Sequence, residues 1–198
     1  MPQLLYSPAS PYSAKVRMAA AYAGITLDAV TTDTSAEPVA LLGANPLGKI
    51  PVMVLDDGKA VYDSRVITQY LNRLSGNQLF PRNADKRLAA EGLEALADGI
   101  CDCLLAHVYE RRSRPEEKVH QPWLEKQWAK AIRGLDRLNA EPPKLPKKIT
   151  VGQIAVRAMI GYLDLRFAGK WEKDHGRLKR WATRFDEKFP ELKGLVSS

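Results

Sequence analysis

At 198 residues, with 45% hydrophobic and 27% charged residues, the chain has the composition of a folded globular protein and not that of a disordered or low-complexity one. No apolar run reaches membrane-spanning length, and Met1-Pro2-Gln3-Leu4-Leu5 lacks a basic segment leading into an apolar one, so a cytoplasmic location is expected, with no membrane partner. The net charge of +7 is confined to the C-terminal part: residues 1–80 hold six Lys/Arg and six Asp/Glu, residues 81–198 hold 24 and 17. Those cations alternate with acids at helical spacing, as from Glu125-Lys126 to Asp136-Arg137, which reads as a solvated helix face; nucleic acid is not the expected partner.

Along the first 75 residues, short apolar runs alternate with helical stretches: Gln3–Tyr6, Pro11–Ala23, Leu27–Thr31, Val39–Leu42, Pro51–Leu55, Ala60–Tyr62 and Arg65–Leu74. This predicts a small α/β domain over residues 1–76. Beyond Gly76-Asn77 and the Phe80-Pro81-Arg82-Asn83 turn the periodicity is helical, broken at Arg114-Pro115, Glu141-Pro142-Pro143 and Pro190. An all-helical domain is therefore predicted over residues 86–198.

The first segment with chemical content is Tyr6-Ser7-Pro8-Ala9-Ser10-Pro11-Tyr12. A strand ends at Tyr6, and Ser10-Pro11 is the expected N-cap and first-turn pair of a helix whose apolar stripe is Tyr12, Val16, Ala19, Ala20 and Ala23, stopped by Gly24. A hydroxyl at a helix N-terminus can be a plain cap. It can also donate to an anion such as a thiolate, which the unpaired N–H groups and the helix dipole favour. Moving a thiol pKa from ~8.5 to the mid-6 range takes about 2–3 kcal/mol, within reach of these terms combined.

Next comes Asn45-Pro46-Leu47-Gly48-Lys49-Ile50-Pro51, ahead of the apolar run Val52-Met53-Val54-Leu55. Proline is tolerated at the start of a strand, and with a cis Ile50-Pro51 bond the backbone of Ile50 could pair with a peptide-like ligand as an added strand does. Asp56-Asp57-Gly58-Lys59 reads as a hairpin turn, and Asp63-Ser64-Arg65 as the start of another helix. One of Asp63 and Ser64 caps that helix. Ser64 with its N–H neighbours could also receive a carboxylate, and Asp63 an ammonium.

In this order and spacing the three segments resemble the thioredoxin-like domain of cytosolic glutathione transferases. Thr150-Val151-Gly152-Gln153-Ile154-Ala155 and Gly161-Tyr162-Leu163-Asp164-Leu165-Arg166-Phe167 resemble the sixth helix of bacterial members, which extends the likeness over nearly the whole chain. The resemblance implies a thioredoxin-like α/β domain followed by an all-α domain, glutathione as co-substrate, a hydrophobic electrophilic small molecule as acceptor, and a homodimer. It implies Ser10 as the hydrogen-bond donor to the glutathione sulfur and Ile50, through Pro51, as the backbone partner of the cysteinyl residue. Asp63 and Ser64 would hold the γ-glutamyl end, and Lys49 the glycyl carboxylate.

Some features depart from the family pattern. The first loop carries Ser7, Ala9, Ser10 and Ser13 where thiol-disulfide relatives carry cysteine, which argues against a mixed disulfide through the protein. Tyrosine-using classes place their donor in the same region, so Tyr6 and Tyr12 stand as alternatives to Ser10. Thr150 is followed by Gln153 where the family has Asp, which keeps a capping box but gives up about 0.3–1 kcal/mol of charge–dipole interaction. The acceptor site is expected between the first loop and Leu104–Arg112, with the inward face undetermined.

His107, His120 and His175 lack ligand spacing, so no metal is expected, and His107 reads as a surface or interface histidine. Cys101 and Cys103 lie two apart on a helix, cannot readily pair, and read as packing residues of a reducing compartment. Trp123, Trp128, Trp171 and Trp181 read as core or helix-packing anchors. Two functions remain: a transferase that activates glutathione, or a binding protein on the same fold, such as the stringent-starvation-type proteins that contact RNA polymerase or the ligand carriers. The set Ser10, Pro51, Asp63 and Ser64 favours the enzyme.

Overall fold

The computed structural model describes all 198 residues. Strand β1 (Gln3–Tyr6) leads into helix α1 (Pro11–Tyr22) and then β2 (Asp28–Thr31), which returns parallel to β1 with Leu5 opposite Val30. After a 3-10 turn at Thr34–Ala36 and the short helix α2 (Val39–Ala44), β3 (Val52–Val54) runs antiparallel to β1 and β4 (Ala60–Val61) antiparallel to β3. The four-stranded sheet has the order β2-β1-β3-β4, with β2 an exposed edge. Helices α1 and α3 (Ser64–Leu74) share one face, where Leu4, Met53, Val16, Ile67 and Leu71 are buried; Leu41 of α2 covers Leu5 and Val52 on the other.

The rest is helical: α4 (Ala84–Ser113), α5 (Gln121–Ala140), α6 (Val151–Phe167), α7 (Gly176–Lys188) and α8 (Pro190–Lys193). The architecture is a mixed-sheet thioredoxin-like unit followed by a helical one, as the sequence predicts. No helix is long and apolar enough to cross a membrane.

Helix ends follow the local chemistry. The Ser10 side chain caps α1, Asp63 caps α3 and Asn83 caps α4, each accepting a first-turn N–H. Gly24, just beyond α1, sits at φ +69°, a conformation that glycine adopts at little cost. Thr150 and Gln153 form the full capping box: the Thr150 N–H donates to Gln153 Oε1 at 2.9 Å, and the Gly152 N–H to Thr150 Oγ1 at 3.3 Å.

Helix α6 is the structural centre, with every residue from Val151 to Leu163 buried between α1 and α4. Gly152 makes the close approach to α4 possible, because a Cβ there would stand 2.8 Å from the Ala90 carbonyl oxygen and 2.9 Å from Leu93 Cβ. Gly152→Ala is therefore expected to cost about 1–3 kcal/mol through overpacking against backbone that cannot move aside. A urea titration should show a lower midpoint with an unchanged slope.

The tryptophans divide. Trp171 and Trp181 are buried and Trp128 packs against the core, but Trp123 is 37% exposed, correcting its reading as an anchor. It sits in the first turn of α5, where the chain is still approaching the bundle, and Leu124 turns inward instead. Cys101 is buried and Cys103 half-buried, both as free thiols.

Candidate active site

A cleft of about 560 Å³ opens between the sheet unit and helices α4 and α6. That volume lies within the usual range for small-molecule sites. It is lined by all six residues singled out from the sequence: Ser10, Lys49, Ile50, Pro51, Asp63 and Ser64.

Two helix N-termini face this cleft. At α1, Ser10 Oγ accepts the Ser13 N–H at 3.2 Å, which leaves the hydroxyl proton without an acceptor in the protein. Pro11 has no N–H, and the Tyr12 N–H has no partner, so a hydroxyl and a backbone donor are both available to an anion. At α3, Asp63 Oδ1 accepts the Arg65 N–H at 3.0 Å. The buried Ser64 keeps its N–H and hydroxyl unpaired at the cleft surface.

Between the two lies Ile50. Its bond to Pro51 is cis, and none of the backbone hydrogen bonds outside helices and strands involves Ile50. The neighbouring loop is held by Asn45, whose Nδ2 donates to the Lys49 carbonyl at 2.8 Å and whose Oδ1 accepts the Leu47 N–H at 3.1 Å. An unpaired N–H and C=O on a fixed loop is what an extended peptide needs for strand-like pairing.

The tyrosines occupy distinct positions. Tyr6 is covered by the Arg17 guanidinium, 4.9 Å from its ring centroid. Tyr12 packs against the core, as its place in the apolar stripe of α1 predicts, and also lines the cleft, its hydroxyl donating to the Asp102 carboxylate. Burial, with the negative charges around it, pushes that phenol far above its ordinary range, so it stays protonated and committed to Asp102.

Beneath the floor of the cleft lies a charged cluster that the sequence did not disclose. Lys15, 1% exposed, points inward from α1 and reaches Glu94 Oε1 at 2.9 Å and Asp98 Oδ2 at 2.7 Å on α4. Arg65 Nε meets the same Asp98 oxygen at 2.9 Å from the cleft side. Burial outweighs the Lys15 ammonium at Glu94 and holds its carboxyl above the usual range. The cluster ties α1, α3 and α4 together directly under the two helix N-termini.

The helical wall of the cleft comes from Leu105, Val108, Tyr109 and Arg112 on α4, which identifies the inward face of that helix, and from Tyr162 and Arg166 on α6. The α6 pair was missed as site residues. Their spacing of four puts them on one edge of α6, apart from Gln153, Arg157 and Asp164 on the other side, a signal present in the sequence. His107 lies outside this wall: its Nε2 is 2.7 Å from the Leu124 carbonyl between α4 and α5, and burial lowers its pKa. No three His, Cys, Asp or Glu side chains converge as a metal site would require.

A thioredoxin-like unit whose strand-to-helix loops face a helical wall across a cleft is the architecture of glutathione transferases, and comparison with known proteins gives the same result. The family model for the glutathione S-transferase N-terminal domain matches residues 9–74. The GST-like protein YibF of Escherichia coli is 30% identical over 168 residues, 83% of each chain. A glutathione S-transferase of Methylobacillus flagellatus and a glutathione transferase family member of Pseudomonas fluorescens, both solved with glutathione bound, are each 36% identical with TM-scores of 0.90 over the whole of both chains. The Pseudomonas protein has also been solved with S-(propanoic acid)-glutathione. The chain belongs to the glutathione transferase family.

Proposed function

We propose that this protein binds glutathione in the cleft, stabilises its thiolate at Ser10, and conjugates it to electrophilic small molecules. The observation that carries the reading is the Ser10 hydroxyl: it caps α1, faces the cleft, and has a proton no protein group accepts. Similarity to relatives solved with glutathione supports the choice of tripeptide.

In this reading the γ-glutamyl carboxylate takes the Ser64 hydroxyl and N–H at the start of α3, and Asp63 faces the γ-glutamyl ammonium. The Ile50 N–H and C=O pair with the cysteinyl backbone beside Pro51, and Lys49 meets the glycyl carboxylate. The sulfur then lies at the start of α1. Ser10 Oγ and the Tyr12 N–H donate to it there, and the helix dipole adds to both. The thiol proton leaves to solvent, and the thiolate attacks an acceptor lying against the α4 and α6 wall. The protein contributes charge stabilisation and proximity and forms no covalent bond itself.

We assign glutathione binding to residues 1–76 and the acceptor wall to residues 86–198, and place the protein in the cytoplasm as a homodimer. Val66 and Leu74 on α3 and Leu88 on α4 stand exposed as apolar residues for such a contact.

The test is conjugation of glutathione to an electron-poor aryl halide, with glutathione affinity measured separately by calorimetry. Wild type should bind and turn over, and Ser64→Ala should raise the KM for glutathione by roughly 10-fold or more while moving kcat less, the scale of one lost hydrogen bond to a charged group. Absence of glutathione binding by wild type would refute the reading. Binding without turnover would make it a glutathione-binding protein on the transferase fold.

A further inference from the structure

We propose that the acceptor side of the cleft is built for an electrophile that carries a carboxylate, received by Arg112 and Arg166. The inference rests on the transferase reading above and adds the charge class of the second substrate.

Arg112 lies in the last turn of α4 and Arg166 in the last turn of α6, so both complement a helix C-terminus. That role would be served by a side chain pointing anywhere near the end, yet both line the same cleft. Neither has an ion-pair partner. The arginines flanking Arg112 do: Arg111 binds Glu116 at 2.8 Å and Arg114 binds Glu110 at 3.2 Å. Arg112 instead lies over the Tyr109 ring, 5.6 Å from its centroid.

Of the carboxylates close to this wall, Asp98 is neutralised by Lys15 and Arg65, while Asp102, bonded to the neutral Tyr12 hydroxyl, and Asp33, which accepts the Ser35 N–H at 2.9 Å and feels the Arg112 charge, form no ion pair with either arginine. Both guanidinium groups line the cleft together with Tyr162. The result is a wall with an apolar base of Leu105 and Val108, two tyrosines, and two arginines that no carboxylate meets at ion-pair distance. Such a site concentrates anions, and a guanidinium fork matches a planar carboxylate.

The probe pair is 4-chloro-3-nitrobenzoate and its neutral carboxamide. In both, the glutathione sulfur forms a bond to the ring carbon bearing chlorine, the carbon–chlorine bond breaks with its electron pair leaving as chloride, and the thiol proton passes to solvent. Each kcat/KM is divided by the uncatalysed rate to remove the electronic difference between substituents. Wild type should favour the benzoate by about 10-fold or more, and the Arg112→Gln/Arg166→Gln variant should bring the ratio to within about 2-fold of unity. The wild-type preference should also shrink as salt rises from about 20 to about 300 mM.

A wild-type ratio near one, or a ratio that survives in the double variant, overturns the inference while leaving thiol activation standing. The glycyl carboxylate of glutathione is the other source of the same chemistry. A raised KM for glutathione with an intact ratio would assign the arginines to it and overturn the inference. If neither probe is turned over, the transferase reading fails by itself, and calorimetry with the two corresponding glutathione conjugates decides the remaining question. Tighter binding of the carboxylate conjugate that is lost in the double variant supports the anion site; equal affinities overturn it.

Discussion

Ser10→Ala is expected to lower conjugation turnover by roughly 10–1000-fold, the scale for losing one preorganised donor to a bound or developing anion. Glutathione should still bind, since Ile50, Asp63 and Ser64 are untouched. The residual rate would come from the Tyr12 N–H and the dipole of α1. The substitution also removes an N-cap, at a cost of about 1 kcal/mol, so thermal unfolding must be followed alongside activity. Ser10→Thr keeps both the cap and the proton and should recover most of the rate. A loss in Tyr12→Phe larger than in Ser10→Ala would move the donor to the phenol, against its engagement with Asp102.

The second large effect concerns stability. Lys15 is almost completely buried and is the main counter-charge to Glu94, with Asp98 shared between Lys15 and Arg65. Removing the ammonium leaves carboxylates in a low-dielectric setting, and breaking a buried ion pair from one side costs about 3–5 kcal/mol. Lys15→Met is expected to lower Tm by roughly 6–20 °C in a chain of this size. Part of the loss should return in Lys15→Met/Glu94→Gln, because the cost lies in the stranded charge and not in the missing contact. A Tm for Lys15→Met within a degree or two of wild type would show that water reaches the cluster.

The sequence was informative where a feature depends on neighbours along the chain. Ser10-Pro11 as a cap, Gly24 as a stop, Asp63 at the start of α3 and the Thr150–Gln153 box each follow from residues within four positions of one another. Pro51 was readable because proline restricts its own backbone and that of the residue before it. The charged cluster was not readable: Lys15 and Asp98 are 83 positions apart, and nothing local distinguishes a lysine on α1 that turns inward from one that faces water. The same holds for the Tyr12 hydroxyl: the ring belongs to the apolar stripe, but its partner Asp102 lies 90 positions away on α4. The inward face of α4 needed its neighbours, since a 30-residue helix touches different surroundings along its length and no single stripe describes it.

The burial of α6 bears on how such proteins can be recombined. Its inner surface packs on α1 as well as α4, so side chains of the sheet unit and the helical unit belong to one hydrophobic cluster. The loop after α3 is an easy crossover point on paper, yet a chimera joined there inherits an α1 and an α6 that have never met. The rim of the acceptor wall at Tyr109, Arg112 and Arg166 lies outside that shared cluster. New acceptor preferences can therefore accumulate one side chain at a time, whereas exchange of whole halves between relatives must carry both sides of the α1–α6 seam together.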